Sequence, residues 1–201
     1  MARPRVTDER KEQILEAFEA CVVRQGIERT TLDDIAREAG QPRSLVRYFT
    51  GNRDELVVLL VNRLLKRTAE RILSMRARSG GDAVQLISLY FDEMFADEHS
   101  NRIVIELWRV ATLSDGMRAR VLALYDELLH DLAEDLAQSG IPGTPQEIFD
   151  GAYAAFAVGL GSAILKTIGV SPVNPKALSD LAQSLALGRV RQSNAVLQKE
   201  S

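Results

Sequence analysis

Arg43, Ser44, Arg47 and Tyr48 stand at spacings of one, four and five, so a helix through them carries all four on one side. Leu45, Val46 and Phe49 then fall on the opposite side, giving a short helix with one face for packing and one for polar contact. Between Gln41 and Arg53 the chain holds three arginines and no acidic residue, a local positive surface in a chain of formal charge -3. Such a surface attracts phosphate. Arginine is built for bidentate contact with guanine in a major groove, and serine and tyrosine hydroxyls reach phosphates or base edges. The chemistry on offer is noncovalent reading of duplex DNA, with Arg43 and Arg47 on bases and Gln41, Ser44 and Tyr48 beside them.

These residues need a scaffold, and the surrounding stretch TLDDIAREAGQPRSLVRYFTGNRDEL, residues 31 to 56, supplies one. Thr31 with Asp34 three residues later is an acidic variant of the capping box and opens a helix over 32 to 39. Small Ala36 and Ala39 beside Ile35 let a second helix cross closely, and Gly40 lets the chain turn between them. The pattern predicts a helix-turn-helix. Thr31 and Arg53, at helix starts, sit where backbone amides and short polar groups grip phosphate, and Arg3 and Arg5 are expected on an arm that enters the adjacent minor groove.

Helical periodicity continues to the C-terminus, without a sustained alternating run that would require a sheet, so the expected class is all-α. The six prolines fall at tails, turns or first helical positions. About nine helices follow from the punctuation. The first runs from after Thr7 to Arg24, with Ile14, Phe18 and Val22 inside. A long helix opens at the Asn52–Glu55 cap and closes at Gly80 and Gly81. Asp82 caps a fifth helix that carries Leu86, Ile87, Tyr90, Phe91, Met94 and Phe95, and Ser100 is the expected start of a sixth through Trp108. Met117 to Leu136 form the seventh stripe, and Thr144–Pro145–Glu147 and Asn174–Pro175 open the last two. The expected domains are a DNA-binding three-helix unit, 1–52, and a helical bundle, 53–201, for ligand binding and dimerisation. The first 53 residues carry net +1 and the remainder net -4.

Residues 31 to 56 resemble the TetR (tetracycline-repressor-like) family of bacterial regulators. Its pattern is roughly T, three residues, I-A, two residues, A-G-V-S, then a helix ending in Y-x-Y-F and a Lys before the next helix. Thr31, Ile35, Ala36, Ala39, Gly40 and Leu56 match this pattern, and Arg53 takes the Lys place. Gln41 and Pro42 replace V-S, and Ser44 stands where Gly is common. Two registers fit: without a gap Arg47, Tyr48, Phe49 and Thr50 take the aromatic positions, whereas a one-residue deletion in the turn aligns Tyr48 and Phe49 with the terminal Y-F and puts Val46 at the first Tyr. The resemblance in length and helix order extends over the whole chain, but its specific motif ends near residue 56.

Gly151, Ala155, Gly159 and Ala163 recur every four residues and form a shallow ridge where another helix can approach. The ridge is read as a self-association face: with Leu181 and Leu185 of the last helix it builds a two-fold four-helix bundle, as the resemblance also implies. Close packing within one subunit is the competing reading of the same spacing. Phe91, Phe95, Trp108, Tyr125, Tyr153 and Phe156 are the aromatic residues available to line a small apolar effector's chamber, with Glu106 or His130 to orient its polar end. Lys166 and the acids before the eighth helix argue against a membrane span.

The expected function is a repressor that binds operator DNA as a homodimer and is released by a small-molecule effector of unknown identity. No cofactor, metal or catalytic residue is expected, since nucleophile motif, paired metal ligands and phosphate loop are missing. The competing readings are a small helical enzyme and a protein-binding adaptor, both of which predict little salt-dependent DNA affinity. A lone Cys21, expected in the core of the first helix, and a polar start without a signal-peptide apolar stretch predict a cytoplasmic location.

Overall fold

The computed structural model describes residues 3–172 and 174–188, with side chains from Asp8 onward. Its elements are α1 (Arg3–Gln25), α2 (Leu32–Glu38), α3 (Arg43–Thr50), α4 (Arg53–Ser79), α5 (Ala83–Leu89), α6 (Glu98–Leu113), α7 (Asp115–Gln138), α8 (Pro145–Thr167) and α9 (Pro175–Ala186). A π-helical turn, Tyr90–Met94, follows α5. No strand occurs among the described residues, and the class is all-α.

Helix starts are set by reciprocal caps that satisfy orphan amides. Asp34 N donates to Thr31 Oγ1 at 3.2 Å while Thr31 N donates to the Asp34 carboxylate at 3.0 Å. The same exchange joins Asn52 with Glu55 (3.0 and 2.7 Å) and Thr144 with Glu147 (3.3 and 2.9 Å). Asp82 accepts from Val84 N and Gln85 N, and Asn174 from Lys176 N.

Three boundaries differ from the sequence expectation. Helix α1 begins at Arg3, because Pro4 is tolerated in a first helical turn; Arg3 and Arg5 are therefore helical, not on an arm, and their side chains lie outside the described residues. Helix α6 starts at Glu98 rather than Ser100. Asp97 caps it, accepting from Ser100 N at 3.2 Å and from Ser100 Oγ at 2.7 Å. Burial pushes the Asp97 carboxyl up, but those Ser100 bonds and the Arg71 guanidinium bring it below the ordinary value. Finally, the fifth helix does not continue regularly to Phe95: Phe95 N donates to Tyr90 O at 2.9 Å, the widened i to i−5 closure of a π-turn.

The chain divides into two compact units. The first comprises Met1–Ala69 and Arg102–Arg118. Its core joins Ile14, Phe18 and Val22 of α1 to Ile35, Val46, Leu56, Leu60 and Ile103. Burial of such side chains contributes about 1.5 to 3 kcal/mol each. Cys21 is fully buried here, and burial raises its thiol pKa. Polar ties add direction: buried Glu19 pairs with Arg63 and Arg67 of α4, and Arg63 also reaches Glu12.

The second unit comprises Glu70–Asn101 and Ala119–Ser201. Met75, Leu86, Tyr90, Phe95, Leu132, Leu136, Ala152, Phe156 and Ala182 form its core. The small-residue ridge of α8, expected on a self-association face, is covered inside this unit. Gly151 lies against the C-terminal end of α9, where an added Cβ would stand 3.1 Å from the carbonyl oxygens of Leu185 and Ala186, and Gly159 receives the Phe95 ring. Ala155 and Ala163 are buried as well.

A methyl group at 159 would meet Phe95 Cε2 at 2.2 Å. Gly159→Ala gains about 1 kcal/mol of helix propensity but overpacks a buried ring, which costs about 1 to 3 kcal/mol. We expect a net loss of about 1 kcal/mol, measured as a lower urea midpoint at unchanged slope.

Helix α8 is apolar beyond that buried ridge. Tyr153, Ala157 and Ile168 face solvent, at spacings that place them on the opposite side of the helix. By length and composition alone α8 could cross a membrane, although a third of its apolar window is buried in the unit.

Candidate nucleic-acid interface

The turn between α2 and α3 is fixed by backbone chemistry. Gly40, at φ +60°, permits a Schellman closure in which Gln41 N donates to Ala36 O at 2.9 Å and Gly40 N to Arg37 O at 3.3 Å. Pro42 then leads into α3. Val46 is fully buried, Leu45 and Phe49 are half-buried, and Thr50 closes the inner side by donating to Val46 O. The helix is thereby locked in rotation.

Its other side is open. Arg43, Ser44, Arg47 and Tyr48 are all exposed, Tyr48 at 79%. The Tyr48 ring meets Phe49 edge to face at 5.1 Å, which steadies an otherwise unsupported aromatic. Arg43 pairs with Asp33 of α2 at 3.3 Å, so a guanine must compete with that carboxylate. Arg47 enters no described ion pair and is the less encumbered of the two.

The supporting residues divide. Gln41 accepts from Arg10 at 3.3 Å, bringing a basic residue of α1 to the turn. Arg10 was not anticipated; its exposure beside an element distant in sequence has no local signal. Thr31 is committed to its cap, and its hydroxyl also donates to Asp34 at 2.7 Å. Those Thr31 hydrogen bonds lower the Asp34 pKa. Arg53 donates to Ile27 O at 2.7 Å, so part of its guanidinium ties α4 to the loop after α1 instead of pointing freely at phosphate.

The residues suggested for an effector chamber are not all brought together. Phe91, Phe95, Tyr125 and Phe156 form one edge-to-face group in the second unit, with ring separations of 5.3 to 5.9 Å. They adjoin Tyr90, which sequence reasoning had read only as core. Burial raises the Tyr90 phenol pKa, and its hydroxyl has no hydrogen-bond partner among the described residues. The void beside them is only about 10 Å³.

The other four lie elsewhere. Glu106 belongs to the first unit, where its carboxylate accepts from Ile27 N at 2.8 Å. It is a loop anchor there, not a group that orients a ligand among those rings. Trp108 is likewise in the first unit. His130 is exposed, bonded to Asp126 O at 2.8 Å and set against Phe149 at 5.0 Å. Tyr153 points outward from α8, 57% exposed.

No protein-family model matches the chain. The HTH-type transcriptional regulator TtgR of Pseudomonas putida is 29% identical over 149 residues, covering 67% of this chain and 70% of TtgR. The regulator BetI of Stenotrophomonas maltophilia is 25% identical over 108 residues, 54% of this chain; that match spans only 55% of BetI. Among solved structures, a TetR transcription regulator from Haloarcula marismortui superposes with a TM-score of 0.76 at 14% identity, over 89% of this chain and 97% of that one. The chain has the TetR-like fold and is similar in sequence to helix-turn-helix transcriptional regulators.

A second TetR-like neighbour, from Rhodococcus sp. RHA1, has a TM-score of 0.67 at 21% identity, over 90% and 96% of the two chains. A regulator from Saccharomonospora viridis, solved in complex with choline, has a TM-score of 0.74 at 17% identity, over 88% and 95%. At these identities the structural likenesses carry the fold, and the regulators named above carry the function: DNA binding in control of transcription. None of these relatives is named as an enzyme. The TetR-like fold accounts for the order of elements: a two-faced α3 behind a glycine turn, a long α4, and a helical body whose aromatic residues gather beside α8.

Proposed function

We propose that this regulator is a cytoplasmic repressor that grips a near-palindromic operator as a homodimer and leaves it when a small molecule occupies its helical body. One observation carries the DNA half of this reading: the basic, hydroxyl-bearing side of α3 is exposed while its apolar side is buried. Arg43 and Arg47 read bases, and Ser44, Tyr48, Gln41 and Arg10 hold backbone. Residues 1–52 act as the DNA-binding domain and 53–201 as the body that dimerises and takes the effector.

The outward stripe of α8 supports a second copy of the chain. An apolar face left in water on an otherwise well-packed helix marks an interaction surface, and closed two-fold pairing lets the same stripe cover itself. The aromatic group beside Tyr90 supports an apolar effector. A ligand releases DNA only through preference for the conformation that cannot bind it, and moving the balance from 1:99 to 99:1 takes about 5.5 kcal/mol of differential affinity.

Footprinting on the DNA upstream of the chain's own gene tests this reading. The expected result is two protected half-sites about 34 Å apart. Log affinity should also fall steeply with log salt, each neutralised phosphate adding about -0.9 to the slope. Affinity indifferent to salt, or no protected site, rejects the operator.

A further inference from the structure

The second unit holds a cleft of about 700 Å³ bounded by the π-helical turn, the C-terminal half of α8, and α9, a size typical of small-molecule sites. Gln183 of α9 donates to Ser88 Oγ of α5 at 2.9 Å and ties two of its walls together. On α8 the cleft is lined from the side of Gly159 and Lys166, facing away from Tyr153 and Ala157. A second copy seated on the outward stripe of α8 therefore leaves it open.

Phe91 and Phe95 give the cleft an aromatic wall, and Asp92, Asp180, Lys166 and Lys176 give it charge. These four ionic residues form no ion pair among the described residues. Two unpaired charges of each sign disfavour a simple anion or cation, since either faces two like charges as well as two opposite ones. A dipolar ion satisfies both sets, and an aromatic ring on it packs edge to face against Phe91 and Phe95.

We propose that this cleft binds an aromatic zwitterion of the amino-acid type, with its ring on Phe91 and Phe95, its ammonium toward Asp92 and Asp180, and its carboxylate toward Lys166 and Lys176. This assignment rests on the reading that the helical body takes an effector.

The test is calorimetric titration of the full chain with L-phenylalanine, 3-phenylpropanoate and 2-phenylethylamine. Phenylalanine should bind saturably, at one site per chain, and more tightly than either compound with a single charge. Asp92→Asn should weaken phenylalanine and phenylethylamine by about three- to fivefold, the size expected for an exposed ion pair, and strengthen phenylpropanoate by relieving a like-charge repulsion. Lys166→Met should do the converse. Circular dichroism of both variants checks that the fold is retained.

Absence of saturable phenylalanine binding, equal affinity for all three compounds, or charge variants without effect each overturn the assignment. Operator affinity is measured separately. Binding without release of DNA upholds the cleft and removes its role as effector site. Release by a different compound, with phenylalanine failing to bind, keeps effector control and overturns this cleft.

Discussion

Arg43→Ala with Arg47→Ala should lower operator affinity by about 3 kcal/mol, roughly 150-fold, while the fold is unchanged. Each bidentate contact to guanine is worth about 1 to 3 kcal/mol. The pair falls short of the upper sum because Arg43 already has a partner: its bond to Asp33 at 3.3 Å is given up or shared when a base replaces it. Arg47 has no such competitor, so Arg47→Ala alone should account for most of the loss. Both side chains are exposed, and surface substitutions of this kind change stability by less than about 0.5 kcal/mol. Arg47→Lys separates charge from geometry. Lysine keeps the attraction to phosphate but cannot form the planar fork, so the salt slope stays and preference at one base pair relaxes. Fluorescence anisotropy on operator and scrambled duplexes at several salt concentrations reads both quantities; wild-type affinity in the double variant rejects the assignment of these residues.

Element identity was legible in the sequence wherever a local rule was strong. The Thr31–Asp34, Asn52–Glu55 and Thr144–Glu147 exchanges are each contained in four residues, and all three form. The two faces of α3 were also legible, because seven residues at helical spacing decide which side is apolar. What could not be read is whatever depends on residues distant in the chain. Glu106 looked like a polar group available to a ligand, but the amide of Ile27, 79 positions away, holds it. Arg53 likewise meets a carbonyl 26 positions away. The Gly151–Ala163 ridge shows a different limit. Small residues every four positions announce that something approaches closely, and spacing alone does not say what; the approaching groups are the end of α9 and the ring of Phe95. The π-turn at Tyr90 had no sequence signal, since its residues are compatible with a regular helix. Its effect is to place Phe91 and Phe95 between a nearly filled void and an open cleft.

Moving the self-association face from the buried ridge to the opposite side of α8 produces the second large expected effect. Tyr153 and Ala157 lie one turn apart on the exposed side, so neither substitution disturbs the core. In a two-fold pairing both copies contribute the same patch, so new charges on one copy meet the patch that carries the same charges on the other. Tyr153→Glu with Ala157→Glu sets four carboxylates in a strip that would otherwise exclude water. Unpaired charge in such a place costs more than a helix pair gains from the apolar area it covers. The variant should sediment as a monomer with unchanged helical content. Its operator affinity should fall by about 10² to 10⁴, because the second half-site is no longer supplied at the high effective concentration of a linked partner. Affinity for an isolated half-site should be unaffected, since α3 and the core beneath it are untouched. A variant that remains dimeric moves the interface off this face of α8. A monomer that still binds the full operator as tightly as the parent removes the two-fold arrangement from the mechanism and leaves a single α3 to supply all of the recognition.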